Sequence, residues 1–475
     1  MSTYIIGIGG TGAKIIESLI HLSAAGLVNN NETINLFFAD PDVANGNGER
    51  TVQIRDYYNR TRFTEGIKIN QAQLEYKKDN AGKDNYKWTI LNNDIDTLRK
   101  LFSAEFNNED NASKLLNVLY SKDELDEPLE KGFKGHPNIG SLVISKNFNL
   151  DKEPWSSLFS SVTNEMNNGG VRIIICGSVF GGTGAAGVPT ITKLLYNKFK
   201  DLDNVTVNGI LMLPYFSFVD TEGKGLKAKS DKFLENTRYA LEYYHNEKYY
   251  DYYRKLYIIG DELLIEYPEF ALGGNEQKNP SLMPELIAAF AVKDIIEDAN
   301  NLKEVKYCKK SETSDPWENI PMNLKEKGRY IQYLLYSLHY VNLYYPLVSK
   351  FVRMGEIPRS ETWAINYFTN RNIFITEGKN FEVMTNMHHY CEQFIRWSRE
   401  IFSASRADNY MDTSLFDNNS SQIKDMKDLT YLLPTKLGKE IRYDRVYKNM
   451  NRNRTNGNNA TIGDFFNDLY DQCKI

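Results

Sequence analysis

The chain has 475 residues and a formal net charge of −5, from 57 basic and 62 acidic side chains. This length exceeds what one hydrophobic core usually serves, so more than one domain is expected. The slightly acidic balance gives no electrostatic reason to bind nucleic acid or an anionic membrane, and neither partner is predicted.

The cysteines and the N-terminus predict a cytoplasmic protein. The start of the chain reads as a strand without the basic segment of a secretory signal, and no apolar run of about 18 residues follows. The cysteines are too far apart for CxxC or CxxH spacing, so neither a disulfide framework nor a zinc site is expected. They are Cys176, Cys308, Cys391 and Cys473.

The first elements form a strand–helix–strand unit. An apolar run at 4–8 gives way to glycines, and apolar residues then recur at helical spacing as far as residue 22. A second buried strand is predicted at 34–40. This order favours a parallel sheet covered by helices.

The alternation returns further along the chain. Residues 50–130 are polar and are interpreted as an insertion. Strands are then predicted at 171–176, 206–213 and 255–260, with helices at 228–247 and 284–297. The predicted fold class is α/β, a doubly wound, mainly parallel sheet over 1–300, followed by a mostly α-helical region at 301–475.

Two glycine-rich turns each connect a predicted strand to a helix. Such turns let backbone N–H groups converge on an anion at a helix N-terminus. The first contains Gly7, Gly9 and Gly12, the dinucleotide fingerprint, and Asp40 follows at the end of the second strand, where it can hold a ribose. A dinucleotide-dependent oxidoreductase is therefore one alternative. The loop is not a Walker A motif, because Lys14 stands one residue late and no Ser or Thr follows it.

The second turn, at 177–189, favours another interpretation. A dinucleotide domain does not require it, whereas two phosphate cradles suit a triphosphate held from both sides. Residues 180–184, FGGTG, followed by Pro189, resemble the signature GGGTGxGxxP of the tubulin/FtsZ superfamily, with Phe180 in place of the first glycine. Residues 7–14 resemble the FtsZ loop GVGGGGxNA. The most similar family is the divergent bacterial tubulin-like group, Tubulin_2.

The resemblance implies a Rossmann-like domain that binds GTP or GDP, with Mg²⁺ held through the phosphates. Asp42 falls in a loop similar to NTDAQ, residues 135–140 resemble GANPEVG near the γ-phosphate, and Glu222 stands where the ribose is bound. Gly260 replaces the asparagine that reads guanine, which leaves guanine or adenine open. The implied nucleotide-binding residues are Gly9, Gly10, Thr11, Gly12, Asp40, Asp42, Gly135, His136, Pro137, Gly140, Phe180, Gly181, Gly182, Thr183, Gly184, Glu222 and Asn279.

Hydrolysis in this superfamily is completed by acids of a neighbouring subunit, in an NxDxxD loop after the central helix. No such motif follows residue 297 here, and Glu297 and Asp298 are the nearest acids. They are the catalytic candidates, although a solvated helix end has the same sequence. The resemblance implies a self-associating GTPase whose helical region serves assembly or protein partners. The missing motif keeps open a non-hydrolysing scaffold or regulatory subunit of a multiprotein system, such as phage defence.

Three further patterns are assigned no chemistry. Neighbouring His388 and His389 point in different directions on a helix, so no metal site is predicted. The tyrosine-rich stretches have helical spacing and predict core packing rather than stacking on nucleic acid. Ser178 lacks the GxSxG spacing of a nucleophile elbow, which disfavours an esterase.

Overall fold

A computed structural model provides the fold of the chain. It describes residues 1–28, 33–42, 44–76, 78, 85–91, 96–107, 110–130, 132–133, 136–218, 231–261, 265–267, 274–298, 302–308, 321–375, 378–404, 443–452 and 460–474. Within these ranges no helix is long and apolar enough to cross a membrane.

One eight-stranded sheet forms the centre of the molecule, and all its strand pairs are parallel. The strand order is β10-β8-β6-β5-β1-β2-β3, and β4 pairs with β2 beyond β3. A separate two-stranded sheet joins β7 to β9. The strands are β1 Ser2–Ile8, β2 Thr33–Ala39, β3 Gln73–Tyr76, β4 Lys87–Trp88, β5 Val171–Ser178, β6 Val205–Met212, β7 Phe216–Phe218, β8 Lys255–Ile259, β9 Ile265–Tyr267 and β10 Glu304–Cys308.

Helices cover both faces of this sheet, as its continuous apolar strands require. The whole of β5 is buried, with side chains pointing alternately into two hydrophobic cores. The helices are α1 Gly9–Ala24, α2 Gly46–Arg62, α3 Leu98–Leu101, α4 Ser103–Asn107, α5 Asn111–Leu119, α6 Lys122–Asp126, α7 Pro137–Asn147, α8 Trp155–Glu165, α9 Gly182–Phe199, α10 Asp231–Asn246, α11 Met283–Glu297, α12 Leu324–His339, α13 Tyr345–Met354, α14 Thr362–Tyr367, α15 Lys379–Ala404, α16 Tyr443–Arg452 and α17 Ile462–Gln472.

This architecture confirms the predicted fold class, a mainly parallel α/β domain followed by helices. On one face, α1 and α11 pack together with the C-terminal helices around side chains such as Ile15 and Ile174. On the other face, α7 and α9 enclose a second core that contains Ile173 and Val188. The strand order reverses between β1 and β5, because the chain first builds outward through β2 and later returns to the other side of β1.

Two details differ from the sequence-based expectation. The polar stretch 50–130 contributes β3 and β4, which extend the main sheet beside β2. The last strand, β10, pairs with β8 beyond the predicted boundary at 300. Both strands β3 and β10 are short and lie at the two ends of the strand order, so neither needs the long apolar run by which a central strand is recognised.

The C-terminal helices form an aromatic-rich core. Helices α12 and α13 are joined by a π-helical segment, Tyr340–Tyr344. Tyr333, Tyr336 and Tyr340 on this stretch are fully buried, and Tyr340 packs edge-on against Phe466 of α17. These tyrosines therefore pack in the core, as their helical spacing predicts.

Candidate functional site

The two glycine turns lie next to each other at the carboxyl ends of the central strands, and we call this end of the sheet its carboxyl edge. The first follows β1 and begins α1 at Gly9; the second follows β5 and begins α9 at Gly182. Since β1 and β5 are adjacent and parallel, their carboxyl ends meet at the point where the strand order reverses. Open α/β sheets bind ligands in the crevice at this point.

The two turns touch. Gly9 adopts a left-handed conformation with φ of +66°, and a Cβ built on it would lie 3.2 Å from the Cβ of Thr183. Glycine meets both demands, because it accepts positive φ and leaves room for the neighbouring loop. A third turn reaches the same place, since Thr183 Oγ1 lies 3.8 Å from where Gly132 would carry a Cβ.

Three helices begin here without a side-chain cap. The N-caps of α1, α7 and α9 are Ile8, His136 and Gly181, and none makes a side-chain cap hydrogen bond. No acidic residue occupies the first turn of any of the three helices. Backbone N–H groups and the positive end of each helix dipole therefore face the crevice, which suits an anion.

Several of the predicted binding glycines are needed for packing. A Cβ on Gly12 would lie 2.6 Å from the carbonyl carbon of Gly7, and one on Gly184 would lie 2.5 Å from the Ser178 carbonyl oxygen. Gly140 is closed in the same way by Ala186. These glycines bring helices against strands and against each other, whereas Gly10, Thr11 and Gly181–Thr183 are partly open to solvent.

The side chain of Phe180 lies in the hydrophobic core. It is 2% exposed, and its ring packs against Phe233 and Phe216 at centroid distances of 5.0 and 5.4 Å. Only its backbone belongs to the glycine turn. The substitution of phenylalanine for the first signature glycine thus adds a hydrophobic anchor beneath the loop.

The two predicted aspartates are held within their own loop. Asp42 accepts hydrogen bonds from the N–H groups of Ala44 at 3.1 Å and Gly274 at 2.6 Å. Asp40 accepts from the N–H of Asp42 at 3.1 Å and from Asn45 Nδ2 at 3.0 Å. Asp40 therefore fixes the turn after β2, and Asp42 joins that turn to the segment before α11.

Asp40 makes folding stability pH-dependent. Burial raises the pKa of its carboxyl to about 7, far above the pKa of an aspartate in the unfolded chain. At a pH between these two pKa values, Asp40 is protonated in the folded chain and ionised in the unfolded chain. The contribution of Asp40 to the free energy of unfolding should fall by about 3 kcal/mol from pH 5 to pH 8. Denaturant titrations of Asp40→Asn should not show this fall in the free energy of unfolding between pH 5 and pH 8. The exposed control Asp151→Asn should keep the pH profile of the wild type. Parallel profiles for all three proteins would contradict the prediction.

The remaining predicted binding residues fall in different places. His136 starts α7, with Nδ1 3.9 Å from Glu124 Oε1, and Pro137 is the first residue of that helix. Asn279 uses its backbone, donating to Asn47 Oδ1 at 3.1 Å and accepting from Arg50 Nη1 at 3.0 Å. Gly135 and Glu222 lie outside the described residues.

A cavity of about 900 Å³ opens beside the first turn. Its lining includes Gly9, Asp40, Arg50 and Lys278, together with Arg396 and Glu400 from α15. Sequence analysis did not predict that α15 reaches this cavity, because a contact between Glu17 and Arg396, 379 residues apart, leaves no local pattern. Below the cavity Lys14 forms an ion pair with Glu285, and both are buried.

The two catalytic candidates lie far from the crevice. Helix α11 has 15 residues and runs about 22 Å against the direction of the strands. At its far end Glu297 Oε2 lies 2.6 Å from Lys293 Nζ, and Asp298 Oδ2 lies 3.0 Å from Lys255 Nζ at the start of β8. The acids therefore occupy the opposite edge of the sheet and cannot reach the glycine turns of their own chain.

Across the described ranges, no cluster of three His, Cys, Asp or Glu side chains could hold a metal ion. His388 and His389 both lie beside Glu392, and the nearer contact of His389 is 3.6 Å, from Nδ1 to Glu392 Oε2. The ring of His388 instead stacks on Tyr345, with centroids 3.8 Å apart, and its Nε2 lies 3.3 Å from Glu392.

The chain is a doubly wound α/β protein in which three uncapped helix N-termini border one crevice, at the point where the strand order reverses. The Tubulin_2 family model, described as "Tubulin like", matches residues 4–256. This is more than half of the chain, and the protein belongs to that tubulin-like family. The match includes the glycine turns that begin α1 and α9 and the strands that precede them, β1 and β5.

Solved structures with similarity to the chain include three CetZ proteins. CetZ2 from Haloferax volcanii, a GTPgS-bound protofilament, is 13% identical, with 62% of this chain and 58% of that chain covered and a TM-score of 0.28. The GDP-bound CetZ1 monomer from the same organism is 11% identical, with 63% of this chain and 62% of that chain covered and a TM-score of 0.30. CetZ from Methanosaeta thermophila is 12% identical, with 63% of this chain and 56% of that chain covered and a TM-score of 0.28. The chain thus spans less than two thirds of each, and no curated protein matches it.

Proposed function

We propose that the chain binds GTP or GDP at the three glycine turns. The contact between Gly9 and Thr183 carries the proposal, because it brings two uncapped helix N-termini to one crevice in a protein of the tubulin-like family. Phosphates bind the N–H groups of residues 9–11 and 181–183, and the turn before α7 closes the third side. The nucleoside lies toward the turns that contain Asp40 and Asn279.

Mg²⁺ is bound in this proposal chiefly by phosphate oxygens and water. Magnesium prefers a few carboxylates together with substrate phosphates and retained waters. Asp42 does not fit as a ready ligand in the described conformation, because both its oxygens accept backbone N–H groups. The ion would neutralise phosphate charge at the crevice.

Identification of the bound nucleotide tests the proposal directly. The protein is purified, denatured and filtered, and the filtrate is separated by ion-exchange chromatography. GTP or GDP at about one molecule per chain is the expected result, with micromolar or tighter rebinding in calorimetry. Retained NAD or FAD would instead support the oxidoreductase. A retained adenine nucleotide such as ATP or ADP would show that the site binds adenine rather than guanine.

We further propose that the chains assemble head to tail, in the cytoplasm, through the two edges of the sheet. The phosphate crevice lies at one edge, and Glu297 and Asp298 lie at the other, so one chain's acids would meet the next chain's nucleotide. Residues 1–300 form the nucleotide-binding domain in this scheme. The helical region at 301–475 supports assembly or the docking of other proteins.

A hydrolysis assay tests the shared site. Phosphate release per chain should rise with protein concentration, because a site completed by a neighbour needs two chains. Asp298→Asn and Glu297→Gln should each lower the assembled rate by about a hundredfold, the scale of a lost acid–base group, with unchanged GTP affinity. Asp251→Asn, an exposed acid at the same edge, is the matched control. A rate independent of concentration would contradict assembly-dependent hydrolysis.

A second candidate is a non-hydrolysing nucleotide-binding scaffold or regulatory subunit. The favouring observation is that both catalytic candidates are engaged in ion pairs with lysines of their own chain. Tight binding without turnover at any protein concentration would support it. Sedimentation with GTP, with GDP and without nucleotide would show whether such a scaffold still assembles.

A further inference from the structure

A buried carboxylate lies inside the helix that begins at the first glycine turn. Glu17 of α1 is fully buried about two turns below Gly9. Its Oε2 accepts from Arg50 Nη2 at 2.8 Å, and its Oε1 accepts from Arg396 Nη2 at 2.7 Å. Burial alone would raise its pKa, but the two guanidinium groups lower the pKa of Glu17 to about 2. The carboxylate is therefore ionised and paired on both sides.

Arg396 extends this pairing to the start of the central helix. Its Nη1 donates to Glu400 Oε1 at 2.7 Å, and Glu400 Oε2 accepts from the N–H of Ser281 at 2.9 Å, two residues before α11. Arg50 reaches the same segment through the Asn279 carbonyl. We call Glu17, Arg50, Arg396 and Glu400 the Glu17 network. It connects α1, α2, α15 and the segment before α11.

Aromatic contacts also join α1 and α15, at Ser18 and at His21, which lies one turn after Glu17. Trp397 Nε1 donates to Ser18 Oγ at 3.1 Å, and the Trp397 ring stacks on His21 with centroids 4.7 Å apart. Tyr390 Oη lies 3.2 Å from His21 Nδ1. These buried side-chain contacts join α15 to α1 at Ser18 and His21, in addition to the ion pair at Glu17.

We propose that Arg396 is a positioning residue for nucleotide binding, holding α1 so that the N–H groups at its start face the phosphates. The inference rests on the proposed function. Such a site must be held within about half an ångström to bind well, and α1 has no other charged partner from the C-terminal region among its described contacts. Nucleotide binding at the crevice and packing of α15 are then linked, and the linkage acts in both directions.

Substitution of Arg396 provides the first test. Arg396→Met should weaken GTP binding about tenfold, within the usual range of coupling between sites. Calorimetry is done at a temperature where circular dichroism shows full folding, so lost stability alone does not change the affinity. Arg396→Lys, which retains the charge, should recover part of the loss, and the exposed Arg353→Met should bind as the wild type does. Wild-type affinity in Arg396→Met would overturn the inference.

Hydrogen exchange on the unmodified protein provides a second test that needs no variant to fold. GTP should slow amide exchange in residues 390–400 as well as in α1, while α13 exchanges at its original rate. Unchanged exchange in 390–400, in a protein that binds GTP, would overturn the linkage but leave the nucleotide site standing. A wild type that binds neither GTP nor GDP would overturn the proposed function itself.

Discussion

Replacement of Gly182 by valine is expected to abolish nucleotide binding while the sheet and its helices persist. Gly182 is the first residue of α9 and is partly open to the crevice. A branched side chain there occupies the space in which phosphate must approach the helix N-terminus. The cost to folding should be small, because valine at a helical position costs less than about 1 kcal/mol. Calorimetry with GTP and GDP should show no saturable heat.

The matched control is Gly328→Val, a glycine of α12 with open space where its Cβ would be. It makes the same chemical change on a helix remote from the crevice and should retain wild-type affinity. Both variants should keep the wild-type circular dichroism spectrum. Normal GTP affinity in Gly182→Val would contradict the assignment of the second glycine turn to phosphate.

Replacement of Lys14 by methionine is expected to lower the free energy of unfolding by about 3–5 kcal/mol, the typical cost of breaking a buried ion pair. Lys14 and Glu285 are 3% and 0% exposed, and Tyr215 donates to the same carboxylate at 2.7 Å. Without the ammonium group, Glu285 is a buried charge with neutral partners only. Chemical denaturation measures the loss. Lys100→Met, which breaks an exposed pair with Asp96, should leave the denaturation midpoint close to that of the wild type.

The pH profile distinguishes this mechanism from a simple cavity. Burial raises the pKa of Glu285, and Lys14 opposes that shift, so removal of the lysine should raise the pKa further. The folded state then holds a proton that the unfolded state has lost, and Lys14→Met should become less stable as pH rises from 5 to 8. Lys14→Met with Glu285→Gln should lose this slope and be more stable than the single variant at pH 8. The same slope in both would contradict the ion-pair explanation.

Much of the fold was predictable from local patterns. The apolar runs that became β1, β2, β5, β6 and β8 are buried on both faces, so their signal did not depend on any partner. The glycine turns were visible for a similar reason, since positive φ at Gly9 and the close approaches at Gly12 and Gly184 require glycine itself. Strands β3 and β10 were missed because backbone pairing at an edge needs few apolar side chains.

The candidate site divides along the same line. The order of strands and glycines along the chain determined that two helix N-termini would meet at one edge, because parallel strands place every carboxyl end there. Only the tertiary structure decided what surrounds them: Phe180 turned into the core, Asp42 bound to Gly274, and Glu17 paired with Arg396 of α15. Those choices depend on contacts between distant segments, which packing in three dimensions selects and local sequence does not encode.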